Sequence, residues 1–348
     1  MNIKKFVRKN ILDLKPYTSA RSTNLSGILL DANENPYGSI AGESRYELNR
    51  YPDPNQSELR NKLSTFLQID KDNLFFGVGS DEIIDLLLKI FCNPNKASVI
   101  ICEPTYGMYN VSCKINDIEV INAELNENYD IEIPTILSSI KNNTKLIFLC
   151  SPNNPTGNLL SYEKIKELAN IGDFIIIVDE AYIDFANETA SFELIKNFSN
   201  VILLRTFSKA WGLAAARCGY CVADKEIIKL LFKVKAPYSI NKLTEDIILQ
   251  ALDNYEEYLE IISLIKNERK YLIENLKKIE GVKKVFNSDS NFILFKVNDP
   301  KQVYSKLAEN NIIIRDRSSQ KKLEGCLRVS VGTREQNNLF LENLEKAL

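Results

Sequence analysis

The chain contains no histidine in its 348 residues. That absence removes the commonest general base and the commonest metal ligand, so proton transfer falls to Lys, Asp, Glu, Tyr or Cys, and no metal site is expected. Long apolar runs are lacking too. No stretch of about 18 apolar residues occurs, and the basic N-terminus MNIKKFVRKNILDLKPY has no continuous apolar core of the kind a secretory signal needs. The expected compartment is therefore the cytosol, with no membrane partner. Charge of one sign is not in excess either: 44 Lys and Arg against 46 Asp and Glu leave a formal net charge of −2, which points to no nucleic-acid partner. Cysteine is present but in the wrong pattern for disulfides. The seven residues are an odd number, scattered, and Cys102 in ASVIIC and Cys150 in LIFLC sit inside apolar runs, where a reduced thiol acts as a small hydrophobe. No repeat, low-complexity tract or proline-rich linker interrupts the sequence.

What is present suits an ordinary globular protein with a sizeable core. Hydrophobic residues make up 45%, and the length fits one large domain plus one smaller at roughly 100–200 residues per domain. From about residue 57 to 240, apolar runs of strand length alternate with segments of helical period. This is the pattern of an α/β domain whose mostly parallel sheet is covered by helices on both faces. The expected strands are ASVIIC (97–102), TKLIFLC (144–150), FIIIVDE (174–180), NVILLRT (200–206) and GYCVAD (219–224). Helices are expected over 80–91 and 161–171, opened by Ser80 and Ser161 as caps for the first free amides. Past about residue 241 a long helical stretch (243–280) precedes short strands NFILFKV (291–297) and CLRVSV (326–331), which reads as a smaller α+β domain. The expected division is an N-terminal arm, 1–30, packing with the small domain, a large domain, 31–241, and a small domain, 242–348.

In an open parallel sheet, ligands bind beyond the carboxyl ends of the strands. Four such places carry polar signatures: Asp179-Glu180-Ala181-Tyr182, Thr206-Phe207-Ser208-Lys209 with Arg217 eight residues on, the run from Ser151 to Gly157, and Gly77-Val78-Gly79-Ser80-Asp81-Glu82. The last runs small residues into a helix start, where free amides and the helix dipole favour an anion. It lacks the spacing of a dinucleotide fingerprint or a Walker loop, and so speaks only in company with the others. A lysine flanked by hydroxyls and an arginine can form a Schiff base with an aldehyde cofactor while its neighbours grip that cofactor's phosphate. A strand-end aspartate can pair with a protonated pyridine nitrogen. Cys218 and Cys221 have the spacing of a redox pair but lead into the apolar strand GYCVAD, so core packing is the better reading.

In this order along the chain, LDANENPYG (30–38), RYPDP (50–54), GVGSDEIIDLLLKIFC (77–92), EPTYGMY (103–109), SPNNPTGN (151–158), VDEAYIDF (178–185), LRTFSKAWGLAAARCGY (204–220) and GCLRVSVGTREQ (325–336) resemble the fold-type I aminotransferases of class II, and within them the histidinol-phosphate aminotransferases. The resemblance runs from about residue 10 to the C-terminus.

It implies a fold-type I large domain with a smaller α+β domain, pyridoxal 5′-phosphate as cofactor, and a homodimer. Family roles carried over by motif make Lys209 the Schiff-base lysine and acid/base, Asp179 the partner of the pyridine nitrogen, Asn154 and Tyr182 donors to the ring 3′-oxygen, and Tyr106 the residue stacked on the ring. The cofactor phosphate would sit at Gly79, Ser80 and Asp81, on Thr206, Ser208 and Arg217, with Tyr51 reaching in from the other subunit. Arg328 matches the substrate-anion arginine, and Tyr17, Asn33 and Arg315 match positions that complete the substrate pocket. The implied reaction turns L-histidinol phosphate and 2-oxoglutarate into imidazole acetol phosphate and L-glutamate, in histidine biosynthesis. An aromatic amino-acid aminotransferase and a pyridoxal-phosphate-dependent decarboxylase of a phosphorylated amino acid are the rivals on the same scaffold. A cofactor-sensing regulator would need an added DNA-binding domain, for which the residues before LDANENPYG are expected to leave no room.

Overall fold

The computed structural model describes residues 2–22, 26–41, 46–187 and 191–348. Seven strands build the main sheet: β1 Leu74–Gly77, β2 Ser98–Glu103, β3 Glu119–Glu124, β4 Thr144–Cys150, β5 Ile175–Asp179, β6 Val201–Thr206 and β7 Gly219–Ala223. Their spatial order is β1-β7-β6-β5-β4-β2-β3. The pairs from β3 through β6 are parallel, and β7 alone is reversed, antiparallel to both β1 and β6. The expected strands all form within a residue or so of their predicted ends.

The apolar runs follow from burial on both sides. Along β4, Leu146, Phe148 and Cys150 face one helical layer, whereas Ile147 and Leu149 face the other; β5 alternates in the same way. Helices Gly79–Phe91, Met108–Ile115 and Lys225–Val234 cover the first face. Helices Ser57–Leu67, Ile133–Ser139, Tyr162–Ile171 and Lys242–Asp253 cover the second. Every residue of β5 is therefore buried, and period-2 alternation of polarity disappears from its sequence.

A second, antiparallel sheet has the order β10-β11-β9-β8, with β8 Lys284–Val285, β9 Phe292–Lys296, β10 Arg315–Asp316 and β11 Cys326–Ser330. Ile293, Phe295, Leu327 and Val329 on one side pack against Leu272 and Leu276 of helix Tyr255–Leu276, Val303 and Leu307 of helix Pro300–Glu309, and Phe340 and Leu344 of helix Arg334–Ala347. The other side presents Arg328 and Leu294, cross-strand partners, away from that core.

Packing divides the chain differently from the expected scheme. Ile248, Leu249 and Leu252 of helix Lys242–Asp253 belong to the core of the main sheet, so the change of core falls along the next helix and not at residue 241. The N-terminal segment also differs. Ile3, Phe6, Val7 and Ile11 join the main-sheet core beside Ile83, Ile90 and Phe91, and the Arg8 amide donates to Ile90 O at 2.9 Å. Apolar periodicity reports that a helix has a buried face; it does not report which sheet that face meets.

Candidate active site

The parallel strands deliver their carboxyl ends to one edge, where Gly77, Cys150, Asp179 and Thr206 end β1, β4, β5 and β6. The reversed β7 begins at that same edge, and this brings Arg217, two residues before it, to the others. Together these ends line a cleft of about 110 Å³ that gathers Gly79, Ser80, Asp81, Tyr106, Asp179, Tyr182, Thr206, Ser208, Lys209 and Arg217. All ten were read from the sequence as site residues.

Asp179 forms the floor. Its side chain is buried, with Tyr109 OH donating to Oδ2 at 2.7 Å and the Ala181 amide donating to Oδ1 at 3.1 Å. Burial disfavours the carboxylate and pushes its pKa up to about 6; the two hydrogen bonds pull the other way but do not cancel it. Tyr109 is itself fixed by stacking on Phe148 of β4, with ring centroids 4.8 Å apart and planes 12° from parallel.

At the cleft wall the N-terminus of helix Gly79–Phe91 has amides to spare. Ser80 does not cap it as expected: the cap is Val78, with no side-chain cap bond, and Ser80 lies in the first turn. The Val78 amide is taken by Glu82 Oε2 at 2.6 Å and the Gly79 amide by Arg217 O at 3.1 Å. The amides of Ser80 and Asp81 have no acceptor among the described residues. By contrast Ser161 does cap helix Tyr162–Ile171, accepting from the Lys164 amide.

Two glycines make the approach at this wall possible. A Cβ on Gly219 would sit 2.5 Å from the Ser80 nitrogen, and one on Gly79, at φ +74°, would sit 2.7 Å from Arg217 Nη2. Arg217 also takes a left-handed backbone, φ +50°, which turns the chain into β7 and directs the guanidinium to within 3.5 Å of Ser208 Oγ. Two free amides, the hydroxyls of Thr206 and Ser208, and an arginine at a helix N-terminus are the donor set of a phosphate site.

Lys209 stands over this floor. Its ammonium lies 5.5 Å from the Tyr182 ring centroid. Burial first, then the positive charge of Arg328, lowers its pKa, while Asp179 and Asp81 oppose the shift. A chain of hydrogen bonds ties the second sheet to the cleft: Arg328 Nη1 donates to Asn154 Oδ1 at 2.5 Å, and Asn154 Nδ2 donates to Tyr182 OH at 3.2 Å. Arg328 also lies over the Phe292 ring, 4.9 Å from its centroid, and burial brings its pKa down to about 10. Arg315, exposed on β10, is its cross-strand partner.

The remaining expected residues do not line this cleft. Tyr17 borders a separate cavity beside Arg8 and Lys235, Asn33 is exposed in a loop at φ +54°, and Tyr51 stacks on Tyr238 with centroids 4.4 Å apart. Sequence reading also missed residues that matter here. Tyr109 lies one helical turn beyond Tyr106 in the same motif, a spacing that could have singled it out. The buried pair Glu180 and Arg205, with the half-buried Asp184, anchors β5 to β6 behind Asp179 and Thr206, Arg205 Nε lying 2.9 Å from Glu180 and Nη1 3.0 Å from Asp184. Among the described residues no His, Cys, Asp and Glu cluster could hold a metal ion.

A family model for aminotransferase class I and II matches residues 26–344. The histidinol-phosphate aminotransferase of Cytophaga hutchinsonii is 46% identical over 341 residues, covering 97% of this chain and 97% of that protein. Among solved structures, the histidinol-phosphate aminotransferase from Clostridium acetobutylicum superposes with a TM-score of 0.79 at 28% identity, over 86% of this chain and 90% of that one. The histidinol-phosphate aminotransferase from Sinorhizobium meliloti, in complex with pyridoxal-5′-phosphate, superposes with a TM-score of 0.80 over 91% and 89%; at 20% identity it speaks for the fold alone. By the extent of the family match and by its architecture, the chain belongs to the class I and II aminotransferases, pyridoxal-phosphate-dependent enzymes of fold type I.

Proposed function

We propose that the chain is a histidinol-phosphate aminotransferase, exchanging the amino group of L-histidinol phosphate with 2-oxoglutarate in histidine biosynthesis. The observation that carries the reading is Lys209 set over a buried carboxylate, Asp179, with a phosphate cradle on one side and Arg328 on the other. Similarity to the Cytophaga hutchinsonii enzyme over nearly the whole chain supports the substrate.

The residues present fit pyridoxal 5′-phosphate. The free amides of Ser80 and Asp81, with Thr206, Ser208 and Arg217, would hold its phosphate; Asp179 would face the ring nitrogen, Tyr106 would lie against the ring, and Asn154 and Tyr182 would bond its 3′-oxygen. When bound, the cofactor supplies an electron sink for the pair left at the substrate Cα. Asp179 would hold a proton at the ring nitrogen, and the positive charge placed there would favour the carboxylate that burial disfavours. Lys209 Nζ would hold the cofactor at rest and would take the proton from the substrate Cα. Its lowered basicity enlarges the neutral fraction able to do so near neutral pH. Arg328 would orient the substrate's anionic end, with Arg315, its cross-strand partner, beside it.

The dimer and the compartment belong to the same proposal. Ile28, Leu30, Tyr37 and Ile40 are 93%, 83%, 97% and 99% exposed in one chain, an apolar stretch that a second copy would cover while Tyr51 entered its partner's cleft. All seven cysteines are buried and unpaired, and among the described residues no helix is long and apolar enough to cross a membrane; both are compatible with the cytosol. Sedimentation at the mass of a single chain, 39.7 kDa, at micromolar concentration would remove the dimer.

Three further outcomes are expected. Lys209→Ala lowers turnover by more than about 10³-fold while the protein stays folded and binds the cofactor non-covalently; a borohydride-fixed adduct on another lysine, found by peptide mass spectrometry, would contradict the assignment. L-Histidinol phosphate converts the absorbance of the enzyme to that of its pyridoxamine form, and 2-oxoglutarate restores it. Efficient conversion by phenylalanine with none by histidinol phosphate would instead favour an aromatic amino-acid aminotransferase, and release of CO₂ from a phosphorylated amino acid would favour a decarboxylase.

The third concerns Asp179, whose pKa in the cofactor-free protein lies above the ordinary 3.8, at about 6. Its contribution to stability is therefore complete below about pH 4 and is lost as pH rises through 6, a difference of about 3 kcal/mol. Asp179→Asn removes that dependence. At fixed protein concentration, urea unfolding of the two cofactor-free proteins should show the variant gaining on the wild type between pH 4 and 7, although its turnover falls by about 10²-fold or more. Parallel stability profiles across that range would show that Asp179 is not held against ionisation.

A further inference from the structure

Three arginines share one side of the second sheet. Arg315 and Arg328 are cross-strand partners on β10 and β11. The Arg317 amide donates to Cys326 O at 3.0 Å, which carries the ladder two residues past Arg315 and puts Arg317 on the same side. The opposite side of β11, with Leu327 and Val329, is committed to the core. The site described above draws on Arg328 and Arg315 and makes no use of Arg317.

The way this fold treats its other sheltered arginines sets Arg317 apart. Arg205 is met by Glu180 and Asp184, Arg21 by Asp31 and Glu34, and Arg269 by the carbonyls of Phe185 and Ser290. Arg317 has no such partner. Its Nε is buried without a hydrogen bond, as are those of Arg8, Arg21, Arg60 and Arg328, but each of those four has a partner at its Nη atoms; among the described residues no carboxylate forms an ion pair with Arg315, Arg317 or Arg328. The three cations are close enough to be felt by one another: Arg328 loses basicity to burial, then to Arg317 and Arg315, and Arg317 loses it to burial, then to Arg315. Sheltered cations without counter-charge are unfavourable unless an anion joins them.

We propose that Arg317 is a third anion-binding guanidinium of the substrate pocket, and that it selects a phosphate monoester dianion over a carboxylate. This rests on the reading of the site as one that takes a phosphorylated amine. A carboxylate offers two oxygens and is satisfied by one guanidinium fork, whereas a phosphate monoester offers three terminal oxygens and a second negative charge, which call for a further planar donor. An aminotransferase must admit both kinds of anion in alternate half-reactions. A residue that engages only the phosphate separates them in affinity without excluding either.

The test uses cofactor-loaded wild type, Arg317→Gln and Arg317→Lys, each in the half-reaction with L-histidinol phosphate and with L-glutamate, and with inorganic phosphate as an inhibitor of the glutamate half-reaction. Arg317→Gln is expected to raise KM for histidinol phosphate about 10- to 100-fold, to weaken inhibition by phosphate by a similar factor, and to leave kcat and the glutamate KM within about threefold. Arg317→Lys, which keeps the charge and loses the fork, should fall between, and it stands in for the glutamine variant should that fail to fold. An equal rise in KM for both amino donors would mark Arg317 as structural, and unchanged KM and phosphate inhibition would mark it as inert; either overturns the proposal. Failure of the wild type to accept histidinol phosphate would remove the parent reading, and the phosphate inhibition constants would still decide Arg317, unchanged values refuting it and weakened ones supporting it.

Discussion

The site depends on keeping one carboxylate in the dark. Asp179 ends a strand that is buried along its whole length, and Tyr109 and the Ala181 amide occupy both of its oxygens. Burial disfavours its charge and raises its pKa to about 6, which is the condition of a group that a neighbouring cation would stabilise. The surroundings serve that end. Tyr109 reaches Asp179 because it stacks on Phe148 of the neighbouring strand, and β5 cannot slide against β6 because Glu180 and Asp184 hold Arg205 behind the cleft. Replacing either tie by a shorter side chain would leave a buried polar group unpaired, a more serious loss than the bond itself.

The reversal of β7 is the second constraint, and it acts through geometry. Were the strand parallel to its neighbours, its N-terminal end and Arg217 would lie at the opposite edge of the sheet, about five residues of strand, or roughly 15 Å, away. Running antiparallel, it starts beside Ser80, so closely that only glycine fits at position 219. One reversed strand thus joins a helix N-terminus, two hydroxyls and a guanidinium into a single cradle.

Much of this was legible in the sequence because the main sheet is buried on both sides. Continuous apolar runs such as FIIIVDE announce such strands, and the polar residues that follow them must lie at the carboxyl edge. What escaped was local or distant. β1 is four residues long, and β3, an edge strand reading EVINAE, is too polar for an apolar-run criterion. The assignment of helix Lys242–Asp253 to the main-sheet core depends on which surface its stripe meets, and periodicity is silent on that. Tyr109 and Arg317 escaped because their significance lies in what stands opposite them, a carboxylate 70 residues away in one case and the lack of any in the other. Ten residues fell into one cleft because motifs at strand ends inherit their position from the sheet. Tyr17, Asn33 and Tyr51 precede its first strand and inherit nothing from it.

Proton chemistry near neutral pH without histidine needs groups displaced from their ordinary range. In this cleft a lysine is lowered from 10.5 and an aspartate raised from 3.8 to about 6, and burial is the leading cause of both. One low-dielectric pocket thus brings an acid and a base of ordinarily distant strength toward each other, without any residue whose unperturbed value lies between. The same burial weakens the ionisation of Arg328 and leaves Arg317 without counter-charge. Each of these four groups is disfavoured as an ion by burial in the free protein, and under the proposed function each would be relieved on binding: Asp179 by a ring cation, Lys209 by covalent attachment to the cofactor, and the two arginines by an anion. Under that reading, binding energy that would otherwise tighten the ground state would be spent relieving these groups, and the pocket would favour the few molecules that carry all the complementary charges at once.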